Sequence, residues 1–235
     1  MASAPPPAPV GPWGILVAFL AAQIGGSLLI AAILGLLAPG TATDHDLAAW
    51  AVRLTYGLSS LALLLATLAA LRLSRAPAAG VRLWAWPGAV PVALGLGAGL
   101  ILKLAGDLAA VAERPFIGTP RSNNPLVLYP HAFARPLLLT VLLLAVAVVA
   151  PMAEELFFRG LLYGWLRSRL AVLPATVLGA VLFALAHGQI GLLPPLLVAG
   201  AGLCVLYERS RTLWVPVAAH AAINASSLLL ALWLH

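Results

Sequence analysis

The sequence predicts an all-α protein, a polytopic bundle of about seven transmembrane helices with a four-helix core in its C-terminal half. Of the 235 residues, 63% are hydrophobic and only 9% are charged, and the mean hydropathy is +1.04. Soluble domains carry far more charge, whereas apolar runs of about 20 residues are long enough to cross a bilayer. The net charge of +6 therefore bears on how the loops are placed around the membrane, and we expect no nucleic-acid partner.

The N-terminal half contains three predicted spans. Residues 1–12 are rich in Pro and Ala, and we expect them to be disordered. Residues 13–135 form an N-terminal transmembrane region whose predicted spans are 13–38, 47–71 and 88–111. Lys103 and Asp107 lie four residues apart in the third span and are expected to pair, and the glycines of this span permit close helix approach. Prolines in the polar loop that follows, 113–135, exclude one continuous helix there.

Residues 136–235 contain four more closely spaced predicted spans: 136–170, 174–187, 190–207 and 213–234. The segment 188–195 is a candidate for a broken or re-entrant piece. If the connection 72–87 lies in the cytoplasm, the loop arginines on its side outnumber those on the other side by seven to three. The positive-inside rule then predicts a cytoplasmic N-terminus and an external C-terminus. The seven are Arg72, Arg75, Arg82, Arg167, Arg169, Arg209 and Arg211, and the three are Arg114, Arg121 and Arg135.

Charged residues interrupt the first of these four helices, in the stretch APMAEELFFRG from Ala150 to Gly160. Ionisable side chains are costly inside a membrane and mark functional sites by default. Glu155 and Arg159 share one helix face at a spacing of four residues and are predicted to pair. Glu154 lies about 100° further round the helix and is left without that partner. An unpaired carboxylate that faces a cavity is a candidate for proton chemistry.

Two further polar pairs interrupt later helices, Phe183 with His187 and His220 with Asn224. The members of each pair are four residues apart and share a helix face. If the helices that carry Glu154 and His187 form a hairpin near residue 170, the rise per residue places both side chains at the same level. His220 reaches that level only if the first helix of the hairpin projects beyond the membrane, so its approach to Glu154 is predicted more loosely.

These residues resemble the motifs of the CPBP family, which includes the type II CAAX prenyl proteases and the bacterial Abi proteins. EELFFR, FALAH and HAAIN match its EExxxR, FxxxH and HxxxN motifs, and the resemblance extends over about 136–230. It implies an intramembrane glutamic endopeptidase that acts on a membrane-associated protein or peptide, needs no cofactor and has its catalytic core in 136–235. By resemblance, Glu154 and His187 would activate water, and His220 and Asn224 would stabilise the oxyanion. Glu155, Arg159 and Phe183 would be supporting residues.

Two other functions remain open at this point. Glu154, His187 and His220 could instead ligate zinc, with water in the fourth position, although the HExxH motif of zincins is absent. Alternatively, the polar cluster could only hold helices together in a membrane scaffold or a bacteriocin-immunity protein. The Ala-, Leu- and Arg-rich composition, with a single lysine, is typical of a GC-rich bacterial genome. We therefore expect a location in the bacterial inner membrane.

Overall fold

The computed structural model describes residues 10–37, 44–73, 85–117, 125–128 and 136–234. Every regular element in these ranges is helical, as the sequence predicts. A single helical turn, Pro125–Leu128, precedes the fourth long helix, and a short 3-10 turn, Ile190–Leu192, precedes the sixth. The long helices are α1 (Pro12–Leu37), α2 (Asp44–Leu73), α3 (Ala89–Ile117), α4 (Pro136–Arg167), α5 (Val172–Ala186), α6 (Leu193–Ser210) and α7 (Trp214–Leu234).

The helices have the length and the outer surface of a membrane-embedded bundle. Five of those described, α1, α3, α4, α7 and α6 with its preceding turn, are long and apolar enough to cross a bilayer, and α5 and the apolar part of α2 are shorter. Large apolar side chains such as Leu28, Ile101 and Trp233 are exposed on the outside of the bundle. Such an apolar exterior suits lipid rather than water. The chain is an integral membrane protein.

Several helix boundaries differ from the predicted ones. α2 begins at Asp44, inside the predicted acidic loop, and α5 begins at Val172, so that Pro174 lies in its first turn. α3 continues beyond its predicted end at residue 111 to Ile117. The hydropathy pattern ends with the apolar run, but the backbone hydrogen bonds of a helix continue into polar residues. The predicted disordered segment falls mainly on residues 1–9 and the predicted polar loop mainly on 118–124 and 129–135, all outside the described residues.

Helices from the two predicted regions of the chain pack together. α2 lies against α4, and α3 lies between α6 and α7. A Cβ atom on Gly99 would lie only 2.2 Å from the carbonyl oxygen of Ala219, and one on Gly95 only 2.7 Å from that of Val215. As predicted, the glycines thus allow a close helix approach, here between the backbones of α3 and α7. The contact at Ala219 lies directly before His220 in the chain.

α4 is not a uniform α-helix. Two π-helical segments, Ala145–Val149 and Leu156–Tyr163, flank the α-helical segment Ala150–Glu155. A π-helical turn contains more residues than an α-helical one, so it rotates the side chains that follow it relative to those before it. Helical spacing alone did not predict these segments, although such segments are frequent at functional sites.

Candidate active site

The predicted ion pair between Glu155 and Arg159 is present and fully buried. Arg159 Nη1 donates to Glu155 Oε1 at 2.9 Å, and Nη2 donates to the carbonyl oxygen of Gly200 on α6 at 3.2 Å. The guanidinium also lies over the ring of Phe183, 4.6 Å from its centroid. Arg159 therefore connects α4 to α5 and α6. A buried charge needs this degree of pairing because its transfer out of water is otherwise unfavourable.

His220 is held by the same carboxylate oxygen. Its Nδ1 lies 2.8 Å from Glu155 Oε1. A carboxylate that is paired with a guanidinium can only accept hydrogen bonds, so Nδ1 carries the hydrogen and donates it. The opposite nitrogen, Nε2, faces Glu154 Oε2 at 3.9 Å. Glu155 thus orients both Arg159 and His220. Its contact with His220 joins α4 to α7, so the residue spacing within one helix could not predict it.

His187 is oriented in a similar way by the backbone. Its Nδ1 donates to the carbonyl oxygen of Phe183 at 2.8 Å, and its Nε2 faces Glu154 Oε2 at 3.8 Å. The ring packs against that of Phe183, with centroids 4.6 Å apart. Gly188, which has a positive φ of 64°, follows directly. A glycine tolerates this conformation, so α5 ends immediately beside the histidine.

Glu154 lies at the meeting point of the two histidines. Its Oε2 is buried and, among the described residues, has no hydrogen-bond partner, although the side chain as a whole is 21% exposed. As predicted, Arg159 pairs with Glu155 and not with Glu154, and His220 approaches Glu154 almost as closely as His187 does. Both distances are too long for a direct hydrogen bond and suit a water molecule between the groups.

Asn224 lies one turn beyond His220 and makes a different contact. Its Nδ2 donates to the carbonyl oxygen of Val146, in the first π-helical segment, at 2.9 Å. Asn224 also lines a cavity of about 390 Å³. Lys103 and Asp107 line the same cavity and form the ion pair that the sequence predicts. Among the described residues, no hydrogen bond joins Asn224 to Glu154, and the role of Asn224 in binding an oxyanion stays a prediction.

The space beside Glu154 and His187 is a cavity of about 130 Å³. Its other lining residues include Gln23 of α1 and Ser59 and Ser60 of α2, which the sequence did not single out as part of a site. Isolated Gln and Ser residues on apolar helices give no motif, so only the packing of the helices could identify them.

A larger apolar groove, of about 420 Å³, borders this cavity. Phe19, Phe158 and Ala186 line both spaces, so the two are adjacent. Leu182 and Leu185, which line the groove, are exposed on the outside of the bundle. The groove thus opens to the outside of the bundle next to the cavity of Glu154.

Comparisons with known proteins relate the C-terminal part of the chain to membrane peptidases. Residues 136–226 match the family model described as "Type II CAAX prenyl endopeptidase Rce1-like", and this range contains all three motifs. The chain is 27% identical over 84 residues to "Putative membrane peptidase YdiL" of Bacillus subtilis (strain 168). That alignment covers 36% of this chain and 34% of the relative, so the chain spans about a third of the relative's length. No solved structure matches the chain significantly. The region of the four C-terminal helices is thus similar to the CPBP family, which includes the type II CAAX prenyl endopeptidases, and both matches support a protease of this family.

Proposed function

We propose that the protein is an intramembrane glutamic endopeptidase that hydrolyses a peptide bond of a membrane-associated protein or peptide. One observation carries the proposal. Glu154 Oε2, which has no hydrogen bond among the described residues, lies 3.8 and 3.9 Å from Nε2 of His187 and His220, and Glu154 and His187 line a cavity that borders an apolar groove. The family match and the name of the curated relative support a peptidase.

In the proposed reaction, Glu154 and His187 hold a water molecule against the carbonyl carbon of the substrate. Glu154 accepts a proton from this water as its oxygen attacks that carbon. The carbonyl oxygen becomes an oxyanion. The same proton then passes to the amide nitrogen as the C–N bond breaks, which leaves a carboxylic acid and an amine. His187 positions the water, because its Nδ1 is already committed to Phe183 and its Nε2 faces the cavity.

His220 and Asn224 would stabilise the oxyanion. Because Nδ1 of His220 donates to Glu155, Nε2 can donate only from the imidazolium form. In that form the cluster of Glu154, Glu155, Arg159 and His220 carries no net charge. The amide of Asn224 has two N–H groups, and one of them donates to Val146. The second is left to bind an oxyanion.

N-terminal peptide mapping of host membranes tests the proposal without a known substrate. Membranes from cells with the wild-type protein and cells with the Glu154→Gln variant would be compared at equal expression. We expect new N-termini that depend on Glu154. An identical set of N-termini in both, with both proteins folded, would contradict hydrolysis and favour a membrane scaffold or an immunity protein.

One observation also favours a zinc-dependent version of the same site. Both histidines donate through Nδ1, one to a carboxylate and one to a backbone carbonyl, and turn Nε2 towards one carboxylate oxygen. Histidines that ligate metals are typically oriented in this way. In the present arrangement, no three His, Cys, Asp or Glu side chains of the described ranges are grouped closely enough to hold a metal ion. Movement of the Glu154 side chain would be needed to complete such a site.

Metal analysis of the purified protein separates the two mechanisms. We expect zinc well below one ion per chain, and activity that survives treatment with EDTA or phenanthroline. Stoichiometric zinc that is lost in a His187→Ala or His220→Ala variant would replace the glutamic mechanism with a metal-dependent one.

A further inference from the structure

The cavity beside Glu154 has a polar wall that comes from the N-terminal helices. Gln23 of α1 and Ser60 of α2 line it together with Glu154 and His187. The family match begins at residue 136, so these two side chains lie outside the matched region.

Neither side chain is used to hold the helices together. Among the described residues, the amide of Gln23 and the hydroxyl of Ser60 have no hydrogen-bond partner, whereas the hydroxyl of the neighbouring Ser59 donates to the carbonyl oxygen of Thr55. A polar group without a partner is unfavourable in apolar surroundings. Polar side chains within membrane helices usually bond to a neighbouring helix or serve a binding site. Gln23 is exposed and Ser60 is partly exposed, so both are open to a bound molecule.

A substrate in this cavity needs such groups. A peptide bond can be attacked only where the chain is unwound, and there its N–H and C=O groups lose their helical partners. Lipid offers no replacement for those hydrogen bonds. A glutamine amide both donates and accepts, as does a serine hydroxyl, so Gln23 and Ser60 can satisfy backbone groups of either kind.

We propose that Gln23 and Ser60 bind the backbone of an unwound, apolar peptide segment in the cavity that they line together with Glu154 and His187. This inference rests on the proposed peptidase function and adds the substrate class, which is an apolar segment with a locally broken helix. The adjacent groove, lined by Phe19 and Phe158, would receive the apolar side chains next to the unwound residues.

Binding of a synthetic peptide tests this inference apart from catalysis. The probe is a fluorescent Leu/Ala peptide of about 20 residues with two central glycines, which weaken its helix. Three ester versions each lack one central N–H group. Affinities would be measured by fluorescence anisotropy with the full chain in detergent and in the Glu154→Gln background, so that no cleavage occurs.

We expect Gln23→Leu to weaken binding of the amide peptide about tenfold and Ser60→Ala about threefold, as loss of a hydrogen bond at each site requires. At least one ester peptide should bind to the parent protein about tenfold more weakly than the amide peptide does. In Gln23→Leu, the amide and ester peptides should bind with equal affinity. Ser27→Ala, one turn from Gln23 and outside the cavity, is the matched control and should bind like the parent.

Thermal stability provides a second measure. Gln23→Leu removes an unpartnered amide from an apolar span, so its melting temperature should equal or exceed that of the parent. A structural role for Gln23 would lower it. The inference is overturned if Gln23→Leu binds every peptide as the parent does, if the parent does not distinguish amide from ester, or if the parent does not bind the probe. If the parent distinguishes the amide from the ester peptides as expected but the wild-type protein cleaves nothing, only the hydrolytic function is refuted.

Discussion

At the scale of single residues, the site depends on two adjacent carboxylates in different surroundings. Glu155 is fully buried and shares one oxygen between Arg159 and His220. Glu154 points about 100° away, where it meets the two Nε2 atoms and the cavity. Neighbouring carboxylates in contrasting environments commonly divide the structural and chemical roles of a site. The same division is expected here.

The two glutamates should therefore respond differently to the same substitution. Glu154→Gln should abolish proteolysis in the host membranes while the protein folds and purifies normally. Glu155→Gln should leave Arg159 without its counter-charge and lower the free energy of unfolding by about 3–5 kcal/mol, the usual effect of breaking a buried pair. Thermal melts in detergent would accompany the N-terminal mapping. A stable, inactive Glu155→Gln together with an active Glu154→Gln would reverse the two assignments.

Asn224 provides a second test at this scale. If its free N–H group stabilises charge that develops only in the transition state, Asn224→Ala should lower turnover much more than substrate binding. Loss of one oxyanion donor typically reduces the rate by about 10²- to 10³-fold, so some activity should remain. The measurement is kcat and KM on a substrate identified by the mapping, with a melt alongside. Wild-type turnover would mean that Asn224 serves only its contact with Val146.

At the scale of helices, the position of His220 depends on the contact between α3 and α7. Gly95 and Gly99 bring the two backbones together over Val215 and Ala219. Ala219 directly precedes His220, so any displacement of α7 here moves the imidazole relative to Glu155 and Glu154. α3 lies outside the residues that match the family model, yet it contributes to the geometry of the motif that contains His220.

Two glycine substitutions on α3 should separate this effect from a general loss of glycine. A Cβ at Gly99 would meet the backbone of Ala219, whereas one at Gly97 would have no atom within 4 Å. Gly99→Ala should lower the free energy of unfolding by about 1–3 kcal/mol and reduce proteolysis, because the contact atoms are backbone and cannot easily move aside. Gly97→Ala should leave both unchanged. Equal stability of the two variants in thermal melts would show that α7 accommodates the extra methyl group.

At the scale of the whole molecule, one end of the bundle carries a cluster of ion pairs. Glu208 accepts hydrogen bonds from Arg167 Nε at 3.0 Å, Arg211 Nη2 at 2.8 Å and the hydroxyl of Tyr163 at 3.1 Å. The C-terminal ends of α4 and α6 thus lie together. This agrees with the prediction that the arginines at these two ends lie on the same side of the membrane. We propose that this end faces the cytoplasm, in accordance with the positive-inside rule.

Reporter fusions would measure the orientation. Alkaline phosphatase fused after the last residue should be active, because an odd number of crossings from a cytoplasmic N-terminus places the C-terminus outside. The same reporter fused within the connection between α2 and α3 should be inactive there. The opposite pair of results would show that the bundle is inverted, with the arginine-rich end outside.

The sequence by itself determined the helical class and the membrane-embedded nature of the chain, and it predicted most residues of the candidate site. Hydropathy marks apolar helices without knowledge of their neighbours, and a spacing of four residues is a property of a single helix. The residue spacing therefore predicted that Glu155 pairs with Arg159 and that Glu154 does not take part in this pair. The contact of His220 with Glu155, the diversion of Asn224 to Val146 and the polar wall of Gln23 and Ser60 were decided only by the tertiary structure. Each of these joins different helices, and helix packing and the π-helical segments of α4 set their relative rotation.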